Sequence, residues 1–463
     1  MAVDSATESA TVYRSAPAAG ALPLVGHSPA FIRDPLRFLT SQYRYGDLIE
    51  LRLGPQRAFL PLHPDLVRQV LRNPQVFDKG GALFEFARTS GRNDLVTCGW
   101  PDHQRLRPML QPLFRQRHIV EYSEVMREEI ERLDRGWRTG EEIDVAAQTV
   151  VLTSRVAART MFGADLDEGL LRRIDQTLDS LISDSFKAMM QGAFLYTALP
   201  RSLATRVPFP AKYRWRRANA RFDALTDAII EEYRHAPEGR TGMLALLHSA
   251  RDEETGAPLE YREIRDSVLT MLVAGTETTA TTLAWAFHVL SEHPDVEERL
   301  HAEVDEVLDG RCAQYADLPR LRYTARVISE TLRLYPAGWM SARATTEPAA
   351  LGGRLIPKGA TILVSPYAVH RNPANFPDPE RFDPDRWLPE RAAETAAGAF
   401  IPFMSGHRKC IGDTFALTEA ALALATLTAR WSLRARPGRR GARRPVLHTV
   451  LGTGKLPLTP TPR

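Results

Sequence analysis

A long apolar segment, from about Glu263 to His293, is the feature that most constrains the fold of this chain. Its apolar residues face more than one side of a helix, and a helix that is hydrophobic nearly all round is a buried one. Pro294 then ends the segment, because proline is unfavourable in a helix interior. A buried helix of this length needs a large core around it, and 44% of the 463 residues are hydrophobic. The segment therefore predicts a large globular domain crossed by one central helix.

The rest of the sequence is mainly helical, with a minor β part. Apolar residues recur at the helical period from Pro101 to about Leu308, after two short predicted strands. Further β-rich pieces lie between Arg343 and Pro366, and a final helix is predicted from about Gly412 to Arg430. The sequence contains no internal repeat and no interdomain linker. We therefore expect residues 1–20 to be a disordered lead-in and residues 21–463 to form a single mainly α domain.

Charge and cysteine content exclude several classes of protein. A formal net charge of +4 is small for a chain of this length, so we expect no nucleic-acid partner. Three scattered cysteines provide neither a disulfide framework nor a zinc motif, which indicates a reducing compartment. The polar N-terminus resembles neither a signal peptide nor a membrane span. These features predict a cytoplasmic, monomeric protein without a membrane span.

A glycine-containing loop places Cys410 directly before the final helix, in the string Phe403-Met-Ser-Gly406-His-Arg408-Lys-Cys410-Ile-Gly412. Backbone N–H groups and the dipole at a helix start favour negative charge, and Arg408 adds a cation, so the sulfur can remain ionised as a metal ligand. Gly406 and Gly412 let the loop pass close to a flat, bulky group. The alternative is that this cysteine is simply a small buried apolar residue.

The loop resembles the haem-binding loop of the cytochrome P-450 family, F-x-x-G-x-R-x-C-x-G, with every fixed position filled. The resemblance implies that haem b is the cofactor, that Cys410 is the axial ligand of its iron and that Arg408 contacts a propionate. Phe403 and Gly406 would also lie against the haem. In such enzymes the thiolate donates electron density that favours cleavage of the O–O bond. The chain departs from the family at Met404, which stands at a usual glycine position.

Polar residues interrupt the middle of the long apolar segment, in the string Ala274-Gly-Thr-Glu277-Thr278-Thr. Glycine weakens a helix interior and a threonine hydroxyl can bond a backbone carbonyl, so we expect a local widening of the helix. Taken alone, the string also fits a solvated turn of a surface helix. It resembles the A-G-x-[DE]-T-T segment of the same family, which implies that Glu277 and Thr278 deliver the protons that cleavage of O₂ consumes. Ala274 would then lie against the haem.

An E-x-x-R sequence puts Glu330 and Arg333 on one face of a helix. Taken alone it would be an ordinary surface ion pair. Because Leu-Tyr-Pro follows, it resembles the K-helix motif of the family, whose pair meets a second arginine behind the cysteine loop. An F-x-P frame assigns that role to Arg386 and excludes Arg381, which stands in a similar string five residues earlier. A buried set of this kind is costly unless all its members are paired.

His103 and Arg107 stand one turn apart near the start of a predicted helix. They could form a solvated basic face. The family carries H-x-x-x-R in its C-helix, and this resemblance implies that both residues bind haem propionates, with Arg343 as a third contact. Half-buried carboxylates require cations of this kind.

In the family, substrate is contacted by the loop before the C-helix, by the long central helix and by the segment after the K-helix. These regions predict an apolar and aromatic pocket for a hydrophobic substrate. The candidate lining residues are Phe84, Phe86, Leu272, Ala274, Trp339 and Met340. The stretch from Pro366 to Arg371 is similar to bacterial members that oxidise terpenes, which favours a terpenoid. Fatty acids, polyketides and steroids are the alternatives.

The resemblance implies a haem-thiolate monooxygenase that uses O₂, two electrons and two protons to oxidise a hydrophobic small molecule. No flavin or reductase region is present in the sequence, so we expect the electrons to come from a separate ferredoxin system. Two other functions are open. One is a peroxide-using or isomerising haem-thiolate enzyme, and the other is a haem-binding protein without turnover.

Overall fold

The computed structural model describes residues 12–88, 92–163, 166–198, 207, 210–235, 242–436 and 443–463. Helices dominate this part of the chain. They are α1 (Ser28–Arg33), α2 (Pro35–Thr40), α3 (Pro64–Arg72), α4 (Gly81–Arg88), α5 (Trp100–Leu110), α6 (Gln116–Gly136), α7 (Val145–Phe162), α8 (Glu168–Ala198), α9 (Pro210–His235), α10 (Met243–Ser249), α11 (Tyr261–Glu292), α12 (Pro294–Leu308), α13 (Arg322–Leu334), α14 (Pro366–Val369) and α15 (Asp413–Arg430). The predicted mainly α fold is confirmed.

The strands are short and form small sheets. They are β1 (Ser15–Pro17), β2 (Leu48–Leu53), β3 (Gln56–Pro61), β4 (Phe77–Lys79), β5 (Ile143–Asp144), β6 (Ser341–Thr345), β7 (Ala349–Leu351), β8 (Arg354–Ile356), β9 (Thr361–Val364), β10 (Trp431–Arg434), β11 (Val446–Leu447), β12 (Leu451–Gly452) and β13 (Pro457–Pro462). The largest sheet has the order β1-β2-β3-β9-β6-β4. Its β4 and β6 pair antiparallel with Lys79 opposite Arg343, which brings two cations side by side.

The central helix of the fold is α11. Its start is fixed by a capping box in which the side chains of Glu260 and Glu263 each accept a hydrogen bond from the backbone of the other. Its end is set by Pro294, the first residue of α12. Between these points α11 packs against α7, α9, α13 and α15, so that it is enclosed on several sides. This enclosure explains why its sequence is apolar nearly all round.

Two local features differ from the sequence-based expectations. Ser15–Pro17, within the predicted lead-in of residues 1–20, pairs in parallel with Leu48–Glu50, so the sheet begins before position 21. Residues 1–11 lie outside the described part of the chain. The expected widening near Gly275 is absent, because α11 is a continuous α-helix from Tyr261 to Glu292. Among the helices of the described residues, none combines the length and the apolar character that a membrane span requires.

Candidate active site

A cavity of about 340 Å³ lies between α11 and the cysteine loop, which we define as residues 403–412. Ala274, Gly275 and Thr278 of α11 form one wall, and Phe403 and Cys410 belong to the opposite one. Most other lining side chains are apolar, and they include Leu95, Val96, Leu110, Met161, Met243, Met271, Ile328 and Leu332. The cavity thus joins a single thiol to a helix with hydroxyl groups across an apolar space.

The cysteine loop is held closed by backbone contacts. The N–H of Cys410 donates to the carbonyl of Phe403 at 3.0 Å, and the N–H of Lys409 donates to the carbonyl of Gly406 at 3.1 Å. Gly406 has a φ of +71°, and a Cβ at this position would lie 2.2 Å from the carbonyl oxygen of Leu71, at the end of α3. Only glycine fits there. Met404 also adopts a positive φ, of +58°, which is strained for a residue with a side chain.

The surface that Cys410 exposes faces the cavity. Burial by the surrounding protein raises the pKa of its thiol, while the N–H of Gly412 and the cations Arg107 and Lys409 act in the opposite direction. The helix-start N–H therefore favours the thiolate as the sequence suggests. Arg408, which we expected beside the sulfur, instead donates to Asp78 at 2.7 Å.

Buried cations gather beside the cavity. Burial, together with the neighbouring arginine Arg408, lowers the pKa of Arg343 to about 10 and that of His103 to about 3. The pKa of Lys79 is also well below its ordinary value, because of burial first and then Arg343 and Arg408. These shifts share a first cause, burial, and a second one, the repulsion between positive groups that lie close together. We call Lys79, His103, Arg343 and Arg408 the cation cluster.

Among the described residues, Asp78 is the carboxylate that forms an ion pair with the cation cluster, so positive charge remains in excess there. The Arg408 side chain is 3% exposed, and its Nε and Nη1 atoms have no hydrogen-bond partner among the described residues. Buried, unpaired guanidinium nitrogens are costly, so this arrangement favours a negatively charged group in the adjacent cavity. Haem carries two propionate carboxylates on one edge of an otherwise apolar ring. The residues present fit such a group, with cations on one side, a thiol below and apolar walls around it.

The α11 wall carries the two residues expected to handle protons. Thr278 lines the cavity, and its hydroxyl donates to the carbonyl of Ala274 at 2.7 Å. Glu277 is 9% exposed and is not among the lining residues, because consecutive side chains of a helix point about 100° apart. Burial raises the pKa of Glu277 to about 7. A carboxyl group with such a pKa can both hold and release a proton near neutral pH.

Behind the cysteine loop, the carboxylate of Glu330 is surrounded by hydrogen-bond donors. Arg333 makes two hydrogen bonds to it, at 2.8 and 2.9 Å, and Arg386 Nε lies 3.4 Å from Oε1. The indole of Trp387 and the N–H of Asp383 complete the set, at 3.0 and 3.1 Å. The three charged side chains are at most 2% exposed. The structure thus brings together Glu330, Arg333 and Arg386.

Arg381 has a different place. Its residue is exposed, and only its backbone carbonyl takes part in the network, by accepting from Arg333 Nη2 at 3.0 Å. The structure thus places Arg386, and not the side chain of Arg381, against Glu330. His370 was not singled out in the sequence. Its Nε2 accepts the N–H of Ile401 at 3.0 Å and its Nδ1 lies 3.1 Å from the carbonyl of Arg333, so it connects the network to the chain just before the cysteine loop.

The predicted substrate residues are mostly placed elsewhere. Of the six, Ala274 lines the cavity. Phe86 stacks with Trp215 at 5.2 Å and fills the space over Gly192, where a Cβ would lie 2.2 Å from its ring. The remaining four are buried or partly buried in the hydrophobic core, and they are Phe84, Leu272, Trp339 and Met340. The regions expected to contact substrate do reach the cavity, but through Leu95, Val96, Thr270, Met271, Ala337 and Gly338.

Lys79 is the site residue that sequence reasoning missed. It lines the cavity, its ammonium lies 4.2 Å from the centre of the Phe84 ring, and it pairs in the sheet with Arg343. The adjacent Asp78 binds Arg408, so the string Phe77-Asp-Lys provides both an anchor and a cation. The sequence signal was its position as the first residue of the loop expected to contact substrate, residues 79–96, where it was given no role of its own.

Known proteins are similar to this chain over nearly its whole length. The cytochrome P450 family model matches residues 17–458. Cyclooctatin synthase of Streptomyces melanosporofaciens is 45% identical over 452 residues, which cover 97% of this chain and 96% of that protein. Pentalenene oxygenase of Streptomyces avermitilis is 43% identical over 422 residues, or 91% of each chain. The crystal structure of the cytochrome P450DA heme domain matches with a TM-score of 0.82 at 26% identity and covers 98% of this chain and 99% of that one.

Proposed function

Because the chain belongs to the cytochrome P450 family and is a monooxygenase, we propose that its substrate is a terpenoid, which it hydroxylates or otherwise oxidises with O₂. Pentalenene oxygenase, at 43% identity, is named for the oxygenation of pentalenene, which is a terpene, and cyclooctatin synthase is similar to this chain at 45% identity. The apolar residues that line the cavity support a substrate of this class, because the cations in its wall are assigned to the propionates of the haem.

The proposed cofactor is haem b. Cys410 would hold its iron, and the cation cluster would hold its propionates, with Arg107 on the sulfur side, where its Nη1 donates to the carbonyl of Lys409 at 2.6 Å. When bound, haem supplies the iron at which O₂ is activated. The observation that carries this proposal is the excess of positive charge in the cation cluster, whose Arg408 keeps two unpaired nitrogens and which borders the same cavity as Cys410 through Lys79, His103 and Arg408.

We assign proton handling to Thr278 and Glu277. The Thr278 hydroxyl donates a hydrogen bond to the carbonyl of Ala274, so its oxygen is able to accept a hydrogen bond from a group in the cavity. Glu277, with a pKa of about 7, is able to replace protons taken up on this side of the cavity. An acid and an alcohol in sequence favour an O₂-dependent reaction over the peroxide-using alternative, which consumes no protons from such a relay.

A ferredoxin is the proposed electron donor. Lys409 is half exposed beside Cys410, where it pairs with Asp413, and a Cβ built at Gly412 would lie 3.5 Å from the ring of Phe114. Phe114 is followed by the exposed Arg115 and, two residues later, Arg117. The exposed Arg115 and Arg117 suit an acidic partner, because opposite charge speeds association.

A cyclic terpene hydrocarbon is expected to shift the spin state of the haem. Titration of the purified holoenzyme with a panel of such hydrocarbons, followed by the Soret band, would identify those that bind. With NAD(P)H, ferredoxin and ferredoxin reductase, a binding terpene should give a product that carries one more oxygen atom. Fatty acids of similar size serve as the comparison. If they alone bind and react, the terpenoid assignment is wrong, and turnover with peroxide alone would favour the second alternative.

Replacing Thr278 by alanine (Thr278→Ala) should leave haem binding intact but uncouple the reaction. Proton delivery by a placed group typically contributes at least about a hundredfold, so we expect the amount of product per NAD(P)H to fall by about tenfold or more. The lost electrons should appear as hydrogen peroxide. The matched control is Thr276→Ala, whose hydroxyl bonds the carbonyl of Leu272 at 2.7 Å in the same helix but is not in the cavity wall. Equal coupling in both variants would show that the proton relay lies elsewhere.

A further inference from the structure

Arg92 joins three parts of the molecule. Its Nη1 donates to Asp266 of α11 at 3.0 Å, its Nη2 to Asp223 of α9 at 2.5 Å and its Nε to Asn219 of α9 at 3.2 Å. Arg92 itself belongs to neither helix, because it lies in the segment between α4 and α5. One guanidinium thus connects this segment to two long helices through hydrogen bonds that are assisted by charge.

The connected segment forms part of the cavity wall. Leu95 and Val96 follow Arg92 by three and four residues, and both line the cavity. The next residue, Asn93, is bound to α11 and also to α5, since its N–H donates to Asp266 at 3.3 Å and its side chain donates to Asp102 of α5 at 2.8 Å. The position of residues 92–93 therefore fixes how closely Leu95 and Val96 approach the cavity.

The two carboxylates that hold Arg92 differ in burial. The Asp266 side chain is 3% exposed and also accepts the N–H of Asn93, so its loss would leave buried donors unpaired. The Asp223 side chain is 29% exposed, so water can solvate it when its pair with Arg92 opens. The ion pair between Arg92 and Asp266 is accordingly the permanent one, whereas the ion pair between Arg92 and Asp223 can open.

We propose that the ion pair between Arg92 and Asp223 is a latch that holds residues 92–96 against α9 over the cavity, so that a bulky ligand enters when this pair opens. The latch controls access and is a positioning device, with no part in the chemistry. The proposal concerns the haem cavity and rests on the proposed function to that extent. Motions of this kind often limit ligand entry and product release in enzymes.

The test is Asp223→Asn, which removes the charge and keeps the shape. The probes are 4-phenylimidazole, which is bulky, and imidazole, which is small, and both shift the Soret band when they bind haem iron. A half-buried ion pair contributes a factor of about five, so the association rate constant of 4-phenylimidazole should rise about fivefold. That of imidazole should change less than about twofold. Equal rates in the variant and the parent protein would overturn the proposal.

The matched control is Asp227→Asn, one turn further along α9. Asp227 lies 3.5 Å from Arg265 of α11 and accepts the hydroxyl of Tyr261 at 2.8 Å, so it connects the same two helices without touching residues 92–96. If the association rate constant of 4-phenylimidazole rises in both variants, the contact between α9 and α11, and not the latch, limits ligand entry.

Hydrogen exchange gives a readout that is independent of haem. In Asp223→Asn, the backbone amides of residues 92–98 should exchange faster than in the parent protein, whereas those of Asp227→Asn should not. Unchanged exchange in Asp223→Asn would contradict the latch even if the ligand titration fails. Conversely, faster exchange in a protein that gives no Soret shift with imidazole would support the latch and count against the haem assignment.

Discussion

Cys410→Ser is expected to remove the red-shifted Soret band of the reduced carbon monoxide complex, together with all terpene oxidation. A serine hydroxyl is too weakly acidic to replace the thiolate, so any bound haem would lose the electron donation that distinguishes this class of enzyme. The measurement is a reduced carbon monoxide difference spectrum of purified protein, with the haem content determined separately.

The control for this substitution is Cys312→Ser. Cys312 is half-buried, and its sulfur lies 3.4 Å from the hydroxyl of Thr426, where serine can form an equivalent hydrogen bond. The Cys312→Ser protein should keep the band at full intensity. If Cys410→Ser also keeps it, another group holds the iron and the assignment of the cysteine loop fails.

Glu330→Gln is expected to destabilise the protein by about 3–5 kcal/mol, because it leaves the buried guanidinium groups of Arg333 and Arg386 without a counter-charge. Glutamine has nearly the same shape, so the loss arises from charge and hydrogen bonding and not from a cavity. The measurement is the free energy of unfolding of the holoenzyme in urea, followed by far-ultraviolet circular dichroism. A variant that is too unstable to purify in folded form agrees with this expectation.

Asp385→Asn provides the comparison for Glu330→Gln. Asp385 accepts two hydrogen bonds from Arg299, both at 2.8 Å, and one from Arg326 at 3.0 Å, and its side chain is 29% exposed. Since water can solvate these groups when the pair is removed, we expect a loss of less than about 1 kcal/mol. If the two variants lose a similar amount of unfolding free energy, burial of the Glu330 network contributes little to stability.

The parts of the site that could be predicted are those that depend on local sequence. The helical period of residues 263–293 predicted a buried helix, and the structure has one within two residues at the start and one at the end. The position of Cys410 before α15 follows from the glycines and the apolar pattern after them. The choice of Arg386 over Arg381 needed only the spacing from Phe382. Each of these inferences depends only on residues that are close together in the sequence.

The remaining parts depend on contacts between distant residues. Arg408 was expected beside the sulfur, but Asp78, which is 330 positions earlier, holds it at the cation cluster. Phe86 was expected in the pocket, yet the absence of a side chain at Gly192 lets its ring pack between α8 and Trp215. The direction of a side chain is decided by such tertiary packing, which periodicity does not report. The same limit explains why Lys79 was overlooked.

The cation cluster has a consequence for the polypeptide before it acquires its cofactor. A cavity bordered by mutually repelling positive groups is poorly stabilised until carboxylates enter it, so the free energy of cofactor binding also contributes to the free energy of folding. Folding of the chain and binding of the cofactor are in this sense one equilibrium. Under the proposed cofactor assignment, the protein would select its prosthetic group by the negative charge of the propionates as well as by the affinity of the Cys410 sulfur for iron.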